Sequence, residues 1–152
     1  MRFDTELPKK YSGRVLELPA FDEQGRITRR VRFSLENTLY LHSRVSRIHA
    51  RNTHNNPRNF LVEGVSIVGS CARLNRADSD IDYLLICPHI DERSADHIKE
   101  VMSYVLFCDR DKREAIDVYL RPSDKYPERA SVDITAQVQK ILKKYNRAIS
   151  QE

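Results

Sequence analysis

Three aspartates in the middle of the chain have residue types and spacing that suit a site for divalent metal ions. Asp80 and Asp82 flank Ile81 at the start of an apolar run, and side chains two residues apart in a strand project to the same face. Two carboxylates so close together repel each other unless a cation lies between them. Asp117 lies inside a second apolar run, where a carboxylate is costly to bury without a cation or hydrogen-bond donors. If the two strands are neighbours, the three carboxylates can bind a pair of metal ions.

A glycine–serine pair upstream of these aspartates has the chemistry of a phosphate site. Gly69 and Ser70 directly follow an apolar run, and nine residues separate Ser70 from Asp80. Glycine lets a phosphate approach the backbone, and the N–H groups at the start of a helix attract anions. The Ser70 hydroxyl can donate a hydrogen bond to a phosphate oxygen, and Arg73 adds a positive charge one turn later. The pattern predicts a triphosphate-binding turn ahead of the metal ligands.

Each of these signals also has a purely structural interpretation. An isolated Asp-x-Asp is common in caps and turns, and Asp117 alone could be an edge-strand residue with satisfied hydrogen bonds. The order of the parts favours the functional interpretation, because the glycine–serine turn, the carboxylate pair and the third carboxylate each belong to a predicted strand or its end.

Short apolar runs predict the strands that position these residues, at 64–69, 81–86 and 115–120. A short helix is expected after Ser70. Amphipathic spacing predicts longer helices over 92–107 and 132–147, the second with Ser131 as its N-cap. Strands that alternate with helices are typical of an α/β (α+β) domain with a small mixed β-sheet flanked by helices.

The N-terminal part of the chain has a different pattern. Alternating apolar and polar residues over 14–21 and 26–33, with Gly25 in the turn, predict an extra N-terminal β-hairpin. Ser34 is the predicted N-cap of a helix to about residue 50, and a loop is predicted over 51–59. The chain is therefore divided into an N-terminal extension, a folded domain and a tail, at residues 1–33, 34–147 and 148–152.

Length and composition are those of one globular domain. The 152 residues are 40% hydrophobic and 32% charged, and no apolar run reaches the ~18 residues that a membrane span requires. The N-terminus has no apolar stretch after its positive charges, so no secretory signal is predicted. The three cysteines form no Cys-x-x-Cys pair. The prediction is a cytoplasmic protein with reduced thiols and no membrane partner.

Positive charge is concentrated towards the N-terminus. Residues 1–60 contain 12 Lys and Arg against 6 Asp and Glu, whereas residues 61–152 contain 14 against 16. The helix predicted from Ser34 has a basic face with Arg44, Arg47 and Arg51. An anionic partner, either RNA or an acidic protein surface, is one interpretation, and an ordinary solvated surface is the other.

The stretch GSCARLNRADSDIDYLLI (69–86), together with IDVYL (116–120), resembles the polymerase-beta-type nucleotidyltransferases. It is most similar to their minimal single-domain, antitoxin-like members, and the resemblance covers about residues 62–120. Ser79 matches the serine that commonly precedes the acidic pair. The positions that match the rest of the family pattern are Val68, Gly69, Ser70, Asp80, Asp82 and Asp117.

The resemblance implies a nucleotidyltransferase fold and a metal-dependent transfer of AMP from ATP onto a hydroxyl of a protein or RNA acceptor. Two Mg²⁺ ions, or Mn²⁺, are implied on Asp80, Asp82 and Asp117, with Asp117 on the acceptor side and pyrophosphate as the leaving group. The implied nucleotide-binding residues are Gly69, Ser70, Arg73 and Ser79. A helical toxin is one implied protein partner, and an oligomer is compatible with the pattern.

One departure from the family leaves an alternative open. Many minimal members have a glycine after the Ala-Arg pair, where this chain has Leu74, and a missing glycine could restrict the turn. The alternative is a catalytically weak or inactive binding module, an antitoxin or scaffold that acts by binding its partner. Transfer to a small molecule such as an aminoglycoside is a third interpretation. It would require a domain that binds the acceptor, and no such domain is predicted after residue 147.

Overall fold

The computed structural model of the chain describes residues 17–75, 77, 80–108, 116–120 and 131–151. Within these residues, four α-helices and a four-stranded sheet give a mixed α+β fold, so the predicted class is confirmed at this level. The helices are α1 (Arg29–Thr53), α2 (Ser70–Leu74), α3 (Glu92–Cys108) and α4 (Gln139–Ser150). The strands are β1 (Gly64–Val68), β2 (Ile81–Ile86), β3 (Ile116–Tyr119) and β4 (Ser131–Asp133). Two 3-10 helices span Pro57–Phe60 and Thr135–Val138.

The sheet is mixed and has the strand order β3-β2-β1-β4. β1 pairs antiparallel with both β2 and β4, whereas β2 pairs parallel with β3. Parallel neighbours need a crossover connection, and α3 lies in the chain between β2 and β3 and packs on β3. The three predicted strands are confirmed with ends that differ by at most one residue.

The core lies between the helices and one face of this sheet. Burial alternates along β2, where Ile81, Tyr83 and Leu85 are buried and the residues after them are half-buried. The Tyr83 hydroxyl donates a hydrogen bond to the Val31 carbonyl of α1 at 3.2 Å. It also bonds the Ser34 hydroxyl. Because neighbouring strand residues project to opposite faces, α1 covers the face opposite to Asp82.

The predicted strand over 26–33 and the predicted N-cap at Ser34 are both wrong. α1 begins at Arg29, and Ser34 is buried inside it. A spacing of two fits the apolar residues of this stretch less well than a spacing of four, which gives one helical stripe. The buried members of that stripe are Ile27, Val31, Leu35 and Leu39.

The predicted hairpin reduces, within the described residues, to one antiparallel bridge between Phe21 and Ile27. The Asp22 carboxylate accepts hydrogen bonds from the N–H groups of Gln24 and Arg26, each at 2.9 Å. These bonds close a tight turn that leads directly into α1. Positions 14–16 of the first predicted strand lie outside the described residues, and α1 crosses the predicted boundary at 33/34.

The predicted helix over 132–147 is wrong at its start. Ser131 is the first residue of β4 rather than an N-cap, because the segment pairs with β1 and cannot be helical there. The strand ends where the Asp133 carboxylate accepts a hydrogen bond from the Thr135 N–H at 2.8 Å. Hydrogen bonds from the Thr135 side chain and from its N–H lower the pKa of Asp133. α4 begins at Gln139 and continues to Ser150, so it includes most of the predicted tail.

The predicted loop over 51–59 is partly helical. α1 continues to Thr53 and ends at His54, which has a left-handed φ of 56°. A 3-10 helix then begins at Pro57, which suits a first helical position because proline lacks an N–H. None of the helices within the described residues is long and apolar enough to cross a membrane.

Candidate active site

One row of residues crosses all four strands at the end of the sheet where β1 ends. Val68 of β1 is paired with Ser131 of β4 on one side and with Asp82 of β2 on the other. Asp82 is paired in turn with Asp117 of β3. Paired residues occupy adjacent positions across a sheet, about 5 Å apart. The register therefore makes Asp82 and Asp117 neighbours in the ladder.

The row leads directly into the glycine–serine turn. Gly69 follows Val68 with φ 78° and ψ −150°, a conformation that only glycine adopts without strain. Ser70 is half-buried and begins α2, so the predicted turn and short helix are confirmed. Because α2 has five residues, its dipole adds little to anion binding. A phosphate would interact chiefly with the Gly69 backbone and the Ser70 hydroxyl.

A buried thiol joins α2 to the segment that carries the first aspartate. The Cys71 Sγ donates a hydrogen bond to the backbone carbonyl of Asp80 at 3.1 Å, and the Cys71 side chain is fully buried. Asp80 is exposed, Asp82 is half-buried and Arg73 is exposed. The two predicted halves of the site, the phosphate turn and the carboxylate pair, are therefore linked by a direct contact.

The turn after α2 is made by Asn75 rather than by a glycine. Asn75 has a left-handed φ of 48°, which asparagine tolerates better than most residues. Leu74 remains in the helix, and its side chain is 53% exposed. The positive φ falls on residue 75, so the turn does not require a glycine at residue 74.

Asn75 and Arg30 tie this turn to the N-terminal segment. The Asn75 side chain accepts a hydrogen bond from the Phe21 N–H at 2.8 Å and donates one to the Phe21 carbonyl at 2.9 Å. Arg30 is buried, and its Nη1 donates to the carbonyls of Leu18 at 3.2 Å and Ala77 at 3.0 Å. Neither Asn75 nor Arg30 was among the site residues predicted from the sequence. An asparagine just after a short helix is a signal for Asn75, whereas Arg30 has no such signal in the sequence.

The remaining predicted site residues are described only in part. Ser79 lies outside the described residues, and so does the side chain of Asp117, although its position in β3 is described. Among the side chains that the structure describes, no group of three or more His, Cys, Asp or Glu could hold a metal ion. The three-aspartate site stays a prediction, because one of its members is not among those side chains.

A second polar cluster lines a groove of about 750 Å³ between α1 and α3, and none of the predicted site residues contributes to it. His49 Nε2 lies 2.9 Å from the Ser94 hydroxyl, which donates to the Asp91 carboxylate at 2.8 Å. The hydrogen bonds from Ser94 lower the pKa of Asp91, whereas burial and the nearby His97 lower the pKa of His49. Ser94 is buried and lies between the other two groups, which is not the order of an activated serine nucleophile.

Comparison of the chain with protein-family models, with curated proteins and with solved structures gave no match. The features of the chain that bear on its function are the row of paired residues, the glycine–serine turn and the contacts that join them.

Proposed function

We propose that the chain is a metal-dependent nucleotidyltransferase of the polymerase-beta type, which moves a nucleoside monophosphate from a nucleoside triphosphate to an acceptor hydroxyl. The observation that carries this proposal is the row in which Val68, Asp82 and Asp117 are paired. It supports a shared site because the two carboxylate-bearing positions are adjacent to each other, and one of them, Asp82, is adjacent to the strand end that leads into Gly69. The resemblance of residues 69–86 and 116–120 to this family supports the same reaction.

The donor chemistry of these residues fits Mg²⁺. Carboxylate oxygens, waters and substrate phosphates are the ligands that this hard ion prefers, and Mn²⁺ accepts the same set. Asp80, Asp82 and Asp117 are the residues that would hold the ions. When bound there, the metal would neutralise charge on the triphosphate and on the leaving pyrophosphate.

The residues of the turn would bind and orient the triphosphate. A phosphate can approach the backbone at Gly69, where there is no Cβ, and Ser70 can donate a hydrogen bond to it. Arg73 is exposed and would add positive charge at the solvent side. The Asp117 carboxylate would accept the proton of the attacking hydroxyl. These residues would raise the rate of transfer by holding the acceptor hydroxyl in line with the α-phosphorus.

ATP is the proposed donor, and the acceptor hydroxyl would belong to RNA or to a protein partner. The binding-module alternative had Leu74 as its main support. Because Asn75 rather than Leu74 adopts the positive φ, that support is weakened. We therefore propose an enzyme, with partner binding as an additional property rather than a substitute for turnover.

Metal-dependent nucleotide binding is the first expected result. ATP with Mg²⁺ at about 100 times its Kd should stabilise the folded chain by about 2.7 kcal/mol. For a domain of this size, that is a rise in Tm of about 5 to 10 °C. ATP with a chelator should give a much smaller rise, because an uncompensated carboxylate cluster repels the triphosphate. Thermal unfolding with each addition measures the difference.

The matched control is Glu23→Gln, which removes one negative charge from an exposed position outside the row and should leave the metal-dependent rise unchanged. Asp82→Asn should remove most of it. Equal rises with Mg²⁺ and with the chelator would contradict the metal site.

A further inference from the structure

Positive charge is concentrated on two helices that pack against each other. α1 contains six arginines and one glutamate, and α4 contains three lysines and one arginine. Together the two helices have a net charge of +9, so the rest of the chain, whose total is +4, has a net charge of −5. Arg30 is buried within the fold, which leaves +8 on the remaining side chains of the two helices.

Four of the six arginines of α1 follow one line along the helix. The fully buried residues of α1 face the sheet and its neighbouring helices, whereas half-buried and exposed residues recur every three or four positions on the other side. At 1.5 Å per residue, this line extends over about 33 Å. We call it the arginine stripe, and it consists of Arg29, Glu36, Tyr40, Arg44, Arg47 and Arg51.

Contacts between side chains join α4 to the arginine stripe. Lys144 Nζ lies 3.6 Å from Glu36 Oε1, and the rings of Tyr145 and Tyr40 meet edge to face with centroids 6.5 Å apart. Burial and the Glu36 carboxylate raise the pKa of Tyr145 to about 12. Glu36, the one acidic residue of the two helices, is therefore already engaged by α4. The stripe and the exposed cations of α4 make one surface, the α1–α4 surface.

The composition of the α1–α4 surface suits a nucleic acid better than a protein. The centre of a protein interface is usually apolar and poor in charge, whereas nucleic-acid interfaces are polar and strongly positive. Among the described residues, the exposed large apolar side chains are Leu74 and Tyr104, and neither belongs to α1 or α4.

One guanidinium group on this surface is held in place within the free chain. Arg44 Nη1 donates to the Tyr40 hydroxyl at 2.9 Å, and its guanidinium lies 5.7 Å from the ring centroid. A guanidinium that is already oriented loses less conformational freedom when it binds a phosphate, which it can contact through two N–H groups. The contact therefore favours a phosphate ligand over a diffuse counterion cloud.

We propose that the α1–α4 surface binds the phosphodiester backbone of RNA. Phosphate contacts position a strand without reading its sequence, so binding is sequence-independent and strongly salt-dependent. RNA is chosen over DNA because its 2′ hydroxyls are possible acceptors that DNA lacks, and this choice rests on the proposed function. Because α1 covers the sheet face opposite to Asp82, the surface would anchor the strand at a distance from its reacting end. The cations that define the surface are Arg29, Arg44, Arg47, Arg51, Lys140, Lys143, Lys144 and Arg147.

The test uses a fluorescent, mixed-sequence, single-stranded RNA of 20 nucleotides, with binding followed by anisotropy between 0.05 and 0.3 M KCl. The surface variant combines Arg51→Gln, Lys140→Gln and Arg147→Gln, which are all exposed. The charge-matched control combines Arg26→Gln, Arg93→Gln and Lys99→Gln, which lie outside α1 and α4. The logarithm of the binding constant falls linearly with the logarithm of the salt concentration, and each lost phosphate contact reduces this slope by about 0.7. Loss of three contacts should therefore weaken binding on the order of 10²-fold at 0.1 M salt.

The control variant should bind within about twofold of the natural chain, a change far smaller than that of the surface variant. Equal losses in the two variants, or no salt-dependent RNA binding by the natural chain, would overturn the proposal. If a polyglutamate peptide binds more tightly than RNA, the partner of this surface is an acidic protein and the RNA proposal is wrong. A single-stranded DNA of the same sequence that binds at least tenfold more tightly would overturn the choice of RNA. The assay contains neither nucleotide nor metal. RNA binding by a chain that transfers no nucleotide would therefore contradict the proposed transferase activity and leave the RNA-binding surface standing.

Discussion

Asp82→Asn is expected to abolish both nucleotide transfer and metal-dependent triphosphate binding, whereas Asp117→Asn is expected to abolish transfer alone. Asp82 is paired with Val68 beside the Gly69 turn, so its carboxylate, together with that of Asp80, is proposed to hold the ion that binds the triphosphate. Asp117 is one strand further from that turn and is proposed to act on the acceptor side. The loss of transfer in each variant should be at least on the order of 10²-fold, the scale of removing one preorganised electrostatic group at a reacting centre.

Both quantities should be measured on the same samples, as the initial rate of transfer and the Kd for MgATP. Asn is nearly isosteric with Asp, so each variant should keep its fold. Asp133→Asn is the matched control, because it removes a carboxylate from β4 while its Oδ1 can still accept the Thr135 N–H. Transfer at the natural rate by Asp117→Asn would show that the third ligand is wrong, even if Asp82→Asn behaves as expected.

Acid is expected to destabilise the fold through His42. This side chain is buried, and its Nε2 lies 3.0 Å from the Phe60 carbonyl, to which a neutral imidazole can donate. Burial lowers the pKa of His42 from 6.5 to about 4. The unfolded chain therefore takes up a proton between pH 6.5 and 4 that the folded chain does not. Stability from this group is complete above pH 6.5 and falls as the pH decreases, by about 3 kcal/mol at pH 4.

His42→Gln should keep a donor for the Phe60 carbonyl and remove the titration. Denaturant unfolding between pH 7 and pH 4 should show a free energy that falls by about 3 kcal/mol less in this variant than in the natural chain. His89→Gln removes an exposed histidine and should leave the pH dependence unchanged. The same acid-dependent loss in all three proteins would mean that His42 does not govern it.

The strands of the candidate site could be predicted because their signals are local. The runs that became β1, β2 and β3 are apolar, bounded by turn residues, and too short for helices. Whether Asp82 and Asp117 are neighbours could not be predicted, because it depends on the order of the strands in the sheet, and that order is set by long-range pairing. The ladder between β2 and β3 supplies that order.

Other features could not be predicted because they depend on contacts between distant parts of the chain. β4 has three residues and exists through its pairing with β1, so its sequence alone resembled a helix start. Ile27, Val31 and Leu35 are an even number of positions apart, so they are compatible with alternation, but their spacing of four places all three on one buried helical stripe. The packing of the lysine-rich α4 beside α1 could not be predicted, because it depends on contacts between parts of the chain that are far apart in sequence.

The most direct test of the proposed enzyme compares ATP labelled at the α-phosphate with ATP labelled at the γ-phosphate. The natural chain is incubated with each donor, Mg²⁺ and either RNA or a candidate protein partner. A nucleotidyltransferase should transfer the α-label to the acceptor and release the γ-label as pyrophosphate, with neither reaction in the presence of a chelator. Transfer of the γ-label to the acceptor, or retention of both labels on ATP with every acceptor while the partner still binds, would contradict the account.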